Sequence, residues 1–310
     1  MISCWNTAGI TDMNNAFFEK TYFNAPLECW DVSQVTTMYR MFNRAESFNQ
    51  PIDAWNVSQV ENMNEMFRGA TSFNQPLDSW NVSEVGSMRY MFGARLISGA
   101  TNFNQPIDSW DVSQVKDMRG TFRGATSFNQ PIDSWDVSQQ VNMYGMFADA
   151  TSFNKSIDSW DVSQVVVMAG MFAGATSFNQ PVGSWDVSQV ESMEQMFSKT
   201  DYFNQLIGDW NTSQVLNMEK MFYFATSFNE PIDSWDVSQV ERMIFMFSGT
   251  NSFNQPIDSW DVSQVKDMRN MFSSASSFNH PLDSWNVSEV GSMRYMFYGA
   301  SEFNQCLSTW

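Results

Sequence analysis

The stretch Trp110-Asp111-Val112-Ser113-Gln114-Val115 decides the architecture, because it returns at Trp185 to Val190 and again at Trp260 to Val265. All 13 tryptophans, from Trp5 to Trp310, stand at this point of a repeat. The spacing is 25 residues throughout, except for 30 between Trp80 and Trp110. A fixed period of this size marks a solenoid, in which each repeat is one coil stacked on its neighbours.

Outward from the tryptophan, the coil settles to F-N-Q-P-I-D-S-W-D-V-S-Q-V-x-x-M-x-x-M-F-x-G-A-T-S. The nine prolines share one position of it, and 22 of the 23 methionines keep register. In the copy after Trp55, Val60, Met63, Met66 and Phe67 fall at i, i+3, i+6 and i+7, which predicts a short helix with one buried face. Ser58 and Glu61 read as its capping box, and Gly69 to Ser72 as its end. Pro51-Ile52-Asp53 reads as a short strand that begins on proline, where a missing N–H does least harm to a ladder. The Asn that follows the first Phe, from Asn24 to Asn304, is expected to bond its own turn and the next coil. These readings give an α/β solenoid, leucine-rich-repeat-like, of about twelve 25-residue coils, each with a short parallel strand and a short helix. It is read as a single domain over 1–310, with an irregular first coil at 1–29 and a five-residue insertion at 93–97.

Net charge is −18, from 34 acidic and 16 basic residues. That balance argues against nucleic acid and anionic membranes, which need Lys/Arg footprints. No apolar run approaches the roughly 18–20 residues of a membrane helix, and the first residues lack the basic and apolar regions of a signal peptide. Both end coils are expected to be open, so that more chain or a partner would cover them. Cys4 and Cys29 each precede a repeat Trp, so they should lie on adjacent coils, about 4.8 Å apart and within reach of a disulfide. Parallel Cβ vectors would strain that bond, and two free thiols filling small apolar spaces is the competing reading.

No nucleophile–base pairing, phosphate loop or zinc spacing occurs, so the reading is non-enzymatic. The lone histidine, His280, stands at the Gln position of its coil and reads as a surface substitution. One metal candidate is a carboxylate ladder, Asp53, Asp78, Asp108, Asp133 and Asp158, whose mutual repulsion a Ca²⁺ ion would relieve. Solvated acids on one face are the competing reading. A second column, Asp31, Asp111, Asp136, Asp161, Asp186, Asp236 and Asp261, alternates with Asn56, Asn81, Asn211 and Asn286, which favours turn hydrogen bonds over ion binding. Those four Asn, and Asn154, also match the glycosylation sequon. Interface candidates come from places where coils differ: Arg95, Leu96 and Ile97 in the insertion, Tyr144, and the apolar pairs Val166–Val167 and Ile244–Phe245. Tyr90, Tyr223, Phe224, Tyr295 and Tyr298 are expected to be exposed with them. Pro76 to Phe92 and Pro281 to Phe297 are identical, which points to duplication within the array.

The string W-D/N-x-S-x-V-x-x-M-x-x-M-F, kept along essentially the whole chain, resembles the BspA-type leucine-rich-repeat surface proteins, a bacterial repeat of about 26 residues. Ala16 and Thr121 depart from it at the first residue of the Met-Phe pair. The resemblance implies an extracellular or surface solenoid that works by adhesion to a protein or glycan. Two alternatives stay open: a structural subunit of a larger assembly or filament, packed through its ends or faces, and a weaker one, cation or mineral/ice-surface binding through side-chain ladders.

Overall fold

A computed structural model describes residues 5–94, 99–308 and 310. The chain forms two compact units, Met1–Trp160 and Asp161–Trp310. In each, coils of the predicted period stack in parallel register, but they are not built as expected. Among the described residues there is no α-helix and no extended strand; consecutive turns make up the coil, and isolated parallel bridges such as Thr37↔Asn62 stand in place of a continuous sheet. The α/β solenoid with a helix and a strand in every coil is therefore overturned.

The backbone N–H groups explain why no helix forms. In the first unit, Met63, Glu65 and Phe67 donate to Ser87, Arg89 and Met91 of the next coil, at 3.1, 2.8 and 2.8 Å. The residues between them turn back on their own coil instead: Met66 to Met63, Arg68 to Glu65, Ala70 to Phe67. An α-helix would send every donor to the carbonyl four residues back. Glu65 and Gly69 also have φ of 56° and 72°, a left-handed conformation that ends any right-handed helix. A chain of such turns brings every third or fourth side chain to one face, so its apolar spacing resembles that of a helix.

The predicted strand fails for a complementary reason. Around Pro51, side chains rather than backbone pairs join the coils. Asn49 Oδ1 accepts from the backbone N–H of Asn74 and from Gln75 Nε2, both at 3.0 Å. Ile52 O accepts Trp55 N of its own coil and Trp80 Nε1 of the next, both at 3.1 Å. Ser58 does not cap a helix; its N–H donates to Asn56 Oδ1, closing an Asx turn. All eleven residues of that Asp/Asn column, from Asp31 to Asn286, accept the same bond.

The interior consists of side-chain columns. In the first unit Phe42, Phe67, Phe92 and Phe122 stack with centroids 5.5–5.8 Å apart, and each meets a second Phe of its own coil near 4 Å, as Phe67 does Phe73. The insertion leaves this column intact: Phe92 N still reaches Thr121 O, and Ala100 N closes onto Phe92 O. The second unit repeats the scheme by itself. Phe222, Phe247 and Phe272 lie 5.7 Å apart, and Trp260 Nε1 reaches Ile232 O at 3.0 Å. Fully buried aromatics of this size each contribute on the order of 2–3 kcal/mol.

One coil breaks the interior rule. Gln140 stands where other coils carry Val, is 1 % exposed, and leaves its Oε1 without a partner, while Val141 beside it is exposed. Gln140→Val should raise the unfolding free energy by about 1–2 kcal/mol, since a buried unpaired acceptor costs that order. Urea unfolding would register the gain; an unchanged or lower midpoint would contradict this account of the defect.

Candidate functional site

Because the interior positions are fixed by stacking, surface chemistry concentrates where the turn ladder faces solvent. In the second unit all six Lys and Arg residues (Lys199, Lys220, Arg242, Lys266, Arg269 and Arg294) lie six to fourteen residues after a repeat Trp. The corner around the Trp carries Asp and Glu instead. The first unit places Arg40, Arg44, Arg68, Arg89, Arg119 and Arg123 in the same band. Aromatic rings share it: Arg40 lies over Tyr39 at 4.8 Å and Arg89 over Tyr90 at 5.5 Å, while in the second unit Lys220 lies over Phe245 at 5.7 Å. Such contacts hold a cation at the surface and present its ring partner beside it.

Two grooves open on this band, one in each unit. The first, about 230 Å³, is lined by Phe18, Glu19, Arg40, Asn43, Arg44 and Arg68. Glu65 lies beneath it and gathers Arg40 Nε at 2.9 Å, Arg68 Nη1 at 2.7 Å and Asn43 Nδ2 at 3.1 Å. Burial pushes the Glu65 carboxyl upward, but the hydrogen bonds from Arg40 and Arg68 outweigh it, and its pKa ends below the ordinary value. Asp117, half-buried and bonded by Arg119, is lowered in the same way. The second groove, about 270 Å³, is lined by Arg242, Ile244, Phe245, Arg269 and neighbours. Glu219 pairs there with Lys220 and Arg242, and its carboxyl is likewise lowered by these bonds against the effect of burial.

Several sequence-derived candidates fall on this band. Tyr144 in the first unit is half-buried, as are Val166, Val167 and Phe245 in the second. Val167 bridges Ser192, and Val166 O accepts Glu191 N. Ile244 is buried at 5 % exposure, its remaining surface lining the second groove, while the Phe245 ring meets Tyr223 edge-on at 5.8 Å. Tyr90 corrects an expectation: it is 8 % exposed, because its ring lies across Gly120. A Cβ there would sit 2.2 Å from the ring, and Gly120 has φ of 61°, so only glycine fits. Tyr295, from the identical segment, is 52 % exposed, and Phe224 and Tyr298 are exposed as expected. Arg95, Leu96, Ile97 and Cys4 lie outside the described residues; Cys29 and Cys306 are exposed thiols.

The Asp53 to Asp158 ladder occupies the opposite corner. Asp53 accepts from Ser79 N and Oγ, and Asp108 from Ser134, so Ser of the following coil separates these acids. Among the described residues no group of three His, Cys, Asp or Glu side chains is placed to hold a metal ion. His280 takes the role of a Gln, with Nε2 3.1 Å from Asn254 O. The Arg–Glu networks were not singled out from sequence, although the register of Lys and Arg within the coil was visible there.

Stacked turn coils with internal aromatic columns and a variable polar band define a tandem-repeat protein. The chain belongs to the family described as Mycoplasma protein of unknown function, DUF285, which matches residues 1–96, 94–210 and 192–310. No curated protein matches the chain.

The lowered carboxylates fix the sign of a pH effect. Stability from Glu65, Asp117 and Glu219 is present above their unfolded values of 4.5, 3.8 and 4.5 and is lost as pH falls through and below them. The urea midpoint should stay level from neutral pH to about pH 5 and decline below it. Glu65→Gln should flatten part of that decline; an identical pH profile in the variant would exclude Glu65 as a contributor.

Proposed function

We propose that the protein is a non-catalytic interaction scaffold, which uses the turn-ladder band to hold a protein or glycan partner. The observation that supports this best is the concentration of Arg and of cation–π pairs in one band of the coil, while the interior repeats almost unchanged. Arg and aromatic side chains dominate binding energy in protein interfaces generally. The kinship to BspA-type surface proteins, and a place at the cell surface or outside it, belong to the same proposal.

Glycan arrays and panels of purified extracellular proteins would supply the ligands for a test. Lys220 and Phe245 both occupy left-handed positions, where Asn is tolerated, so Lys220→Asn with Phe245→Asn removes band chemistry with little backbone strain. Affinity for a bound ligand should fall by about tenfold or more, given typical costs of truncating interface anchors. Asp133→Asn with Asp233→Asn at the corner should leave it unchanged. Loss of binding in the corner variant alone would reject the assignment of the face.

A further inference from the structure

We propose that the groove between Phe18–Glu19 and Arg40–Arg68 in the first unit is an anion site, which takes a sulfate, phosphate or carboxylate group. This rests on the reading of the band as a binding face and names the chemistry the face would take. Three guanidinium groups line the groove with one carboxylate, Glu19, and a second, Glu65, lies beneath them, in a chain whose net charge is −18. Glu65 is already engaged by three donors, leaving its charge largely compensated. Arg44 is held by Glu19 through one nitrogen only, Nη1 at 2.7 Å, and both side chains are about half exposed.

Arg68 carries the argument further. Its Nε is buried and has no hydrogen-bond partner, although the side chain lines the groove. A buried N–H of a charged group left unpaired is costly, and an anionic oxygen is the acceptor that would recover most. Guanidinium forks match the paired oxygens of sulfate, phosphate and carboxylate alike. The groove volume of about 230 Å³ equals that of roughly eight water molecules, enough for one such group with several waters. The acidic corner does not forbid this, since charges more than about 8 Å away are largely screened at physiological salt.

Isothermal titration of the full chain with sodium sulfate, inorganic phosphate, heparin oligosaccharides and hyaluronan oligosaccharides tests the site and separates its sources. Binding of the inorganic ions as tightly as the sugars identifies the free ion as the ligand; binding of the sugars alone identifies an acid group carried on a glycan. Arg68→Gln removes the orphan donor, and Arg44→Asn suits the left-handed backbone there, where φ is 59°. Each should weaken binding by about tenfold, the usual scale for one charge-assisted bond, with the melting temperature of Arg44→Asn unchanged. Lys266→Ser, in the other unit, should bind like the parent. The inference is overturned if none of the four probes binds, or if affinity survives both substitutions. If the Lys220/Phe245 variant still loses a partner while no anion binds the first groove, the anion site falls and the scaffold reading stands.

Discussion

Every second N–H of the turn ladder leaves its own coil, and the rest of the structure follows from that division. Met63, Glu65 and Phe67 donate forward to the next coil, while Met66, Arg68 and Ala70 close turns behind them. No coil satisfies its own backbone, so a single coil has no reason to exist by itself. The left-handed residues at Glu65 and Gly69 make the alternation geometrically possible, at the price of a conformation most side chains avoid. Some coils meet that cost with glycine, as at Gly120, Gly145 and Gly170, and others with Arg, Lys, Gln or Asn.

Where the backbone ladder stops, side chains replace it. The Trp indole N–H and the Asn carboxamide each reach one coil across, the first to a carbonyl that also closes a turn of its own coil and the second to a backbone N–H. Phenylalanine, smaller and without an N–H, could neither fill the volume of Trp80 nor bond Ile52 O, which accounts for a tryptophan at every copy. The same economy accounts for the Asp/Asn alternation at the corner, since either side chain closes the Asx turn.

Much of this was legible in the sequence. The period, the coil register, the buried Met and Phe columns, the Asn ladder and the Asx corner all follow from residues that recur at one position. The secondary structure did not. Val60, Met63, Met66 and Phe67 satisfy helical spacing, but consecutive turns satisfy it too, and nothing local to Met63–Phe67 reveals that Glu65 is left-handed. Glycine at the equivalent positions 120, 145 and 170 was the available signal, diluted by coils that place Glu, Gln or Lys there. The candidate surface was partly legible: Tyr144 and Phe245 fall on it, whereas Arg40, Arg44 and Arg68 gain meaning only once Glu19 and Glu65 are brought beside them.

Stacking also decides which positions can vary. Identical acids on successive coils, about 4.8 Å apart, repel by roughly 0.9 kcal/mol per pair in water, a cost that exposed corner residues tolerate while the Asx bond offsets it. A band that is half buried feels a lower dielectric and cannot repeat one charge from coil to coil so cheaply. Some of its ion pairs run between coils, Arg40 to Glu65 and Arg44 to Glu19 in the first unit and Arg242 to Glu219 in the second. Others, Arg68 to Glu65, Arg119 to Asp117 and Arg269 to Asp267, close within one coil. Arg40 with Glu65, and Arg44 with Glu19, place opposite charges at one position of neighbouring coils. The geometry that demands uniformity inside thus leaves this band free to differ from coil to coil, and pairs such as Arg40 with Glu65 form where it does.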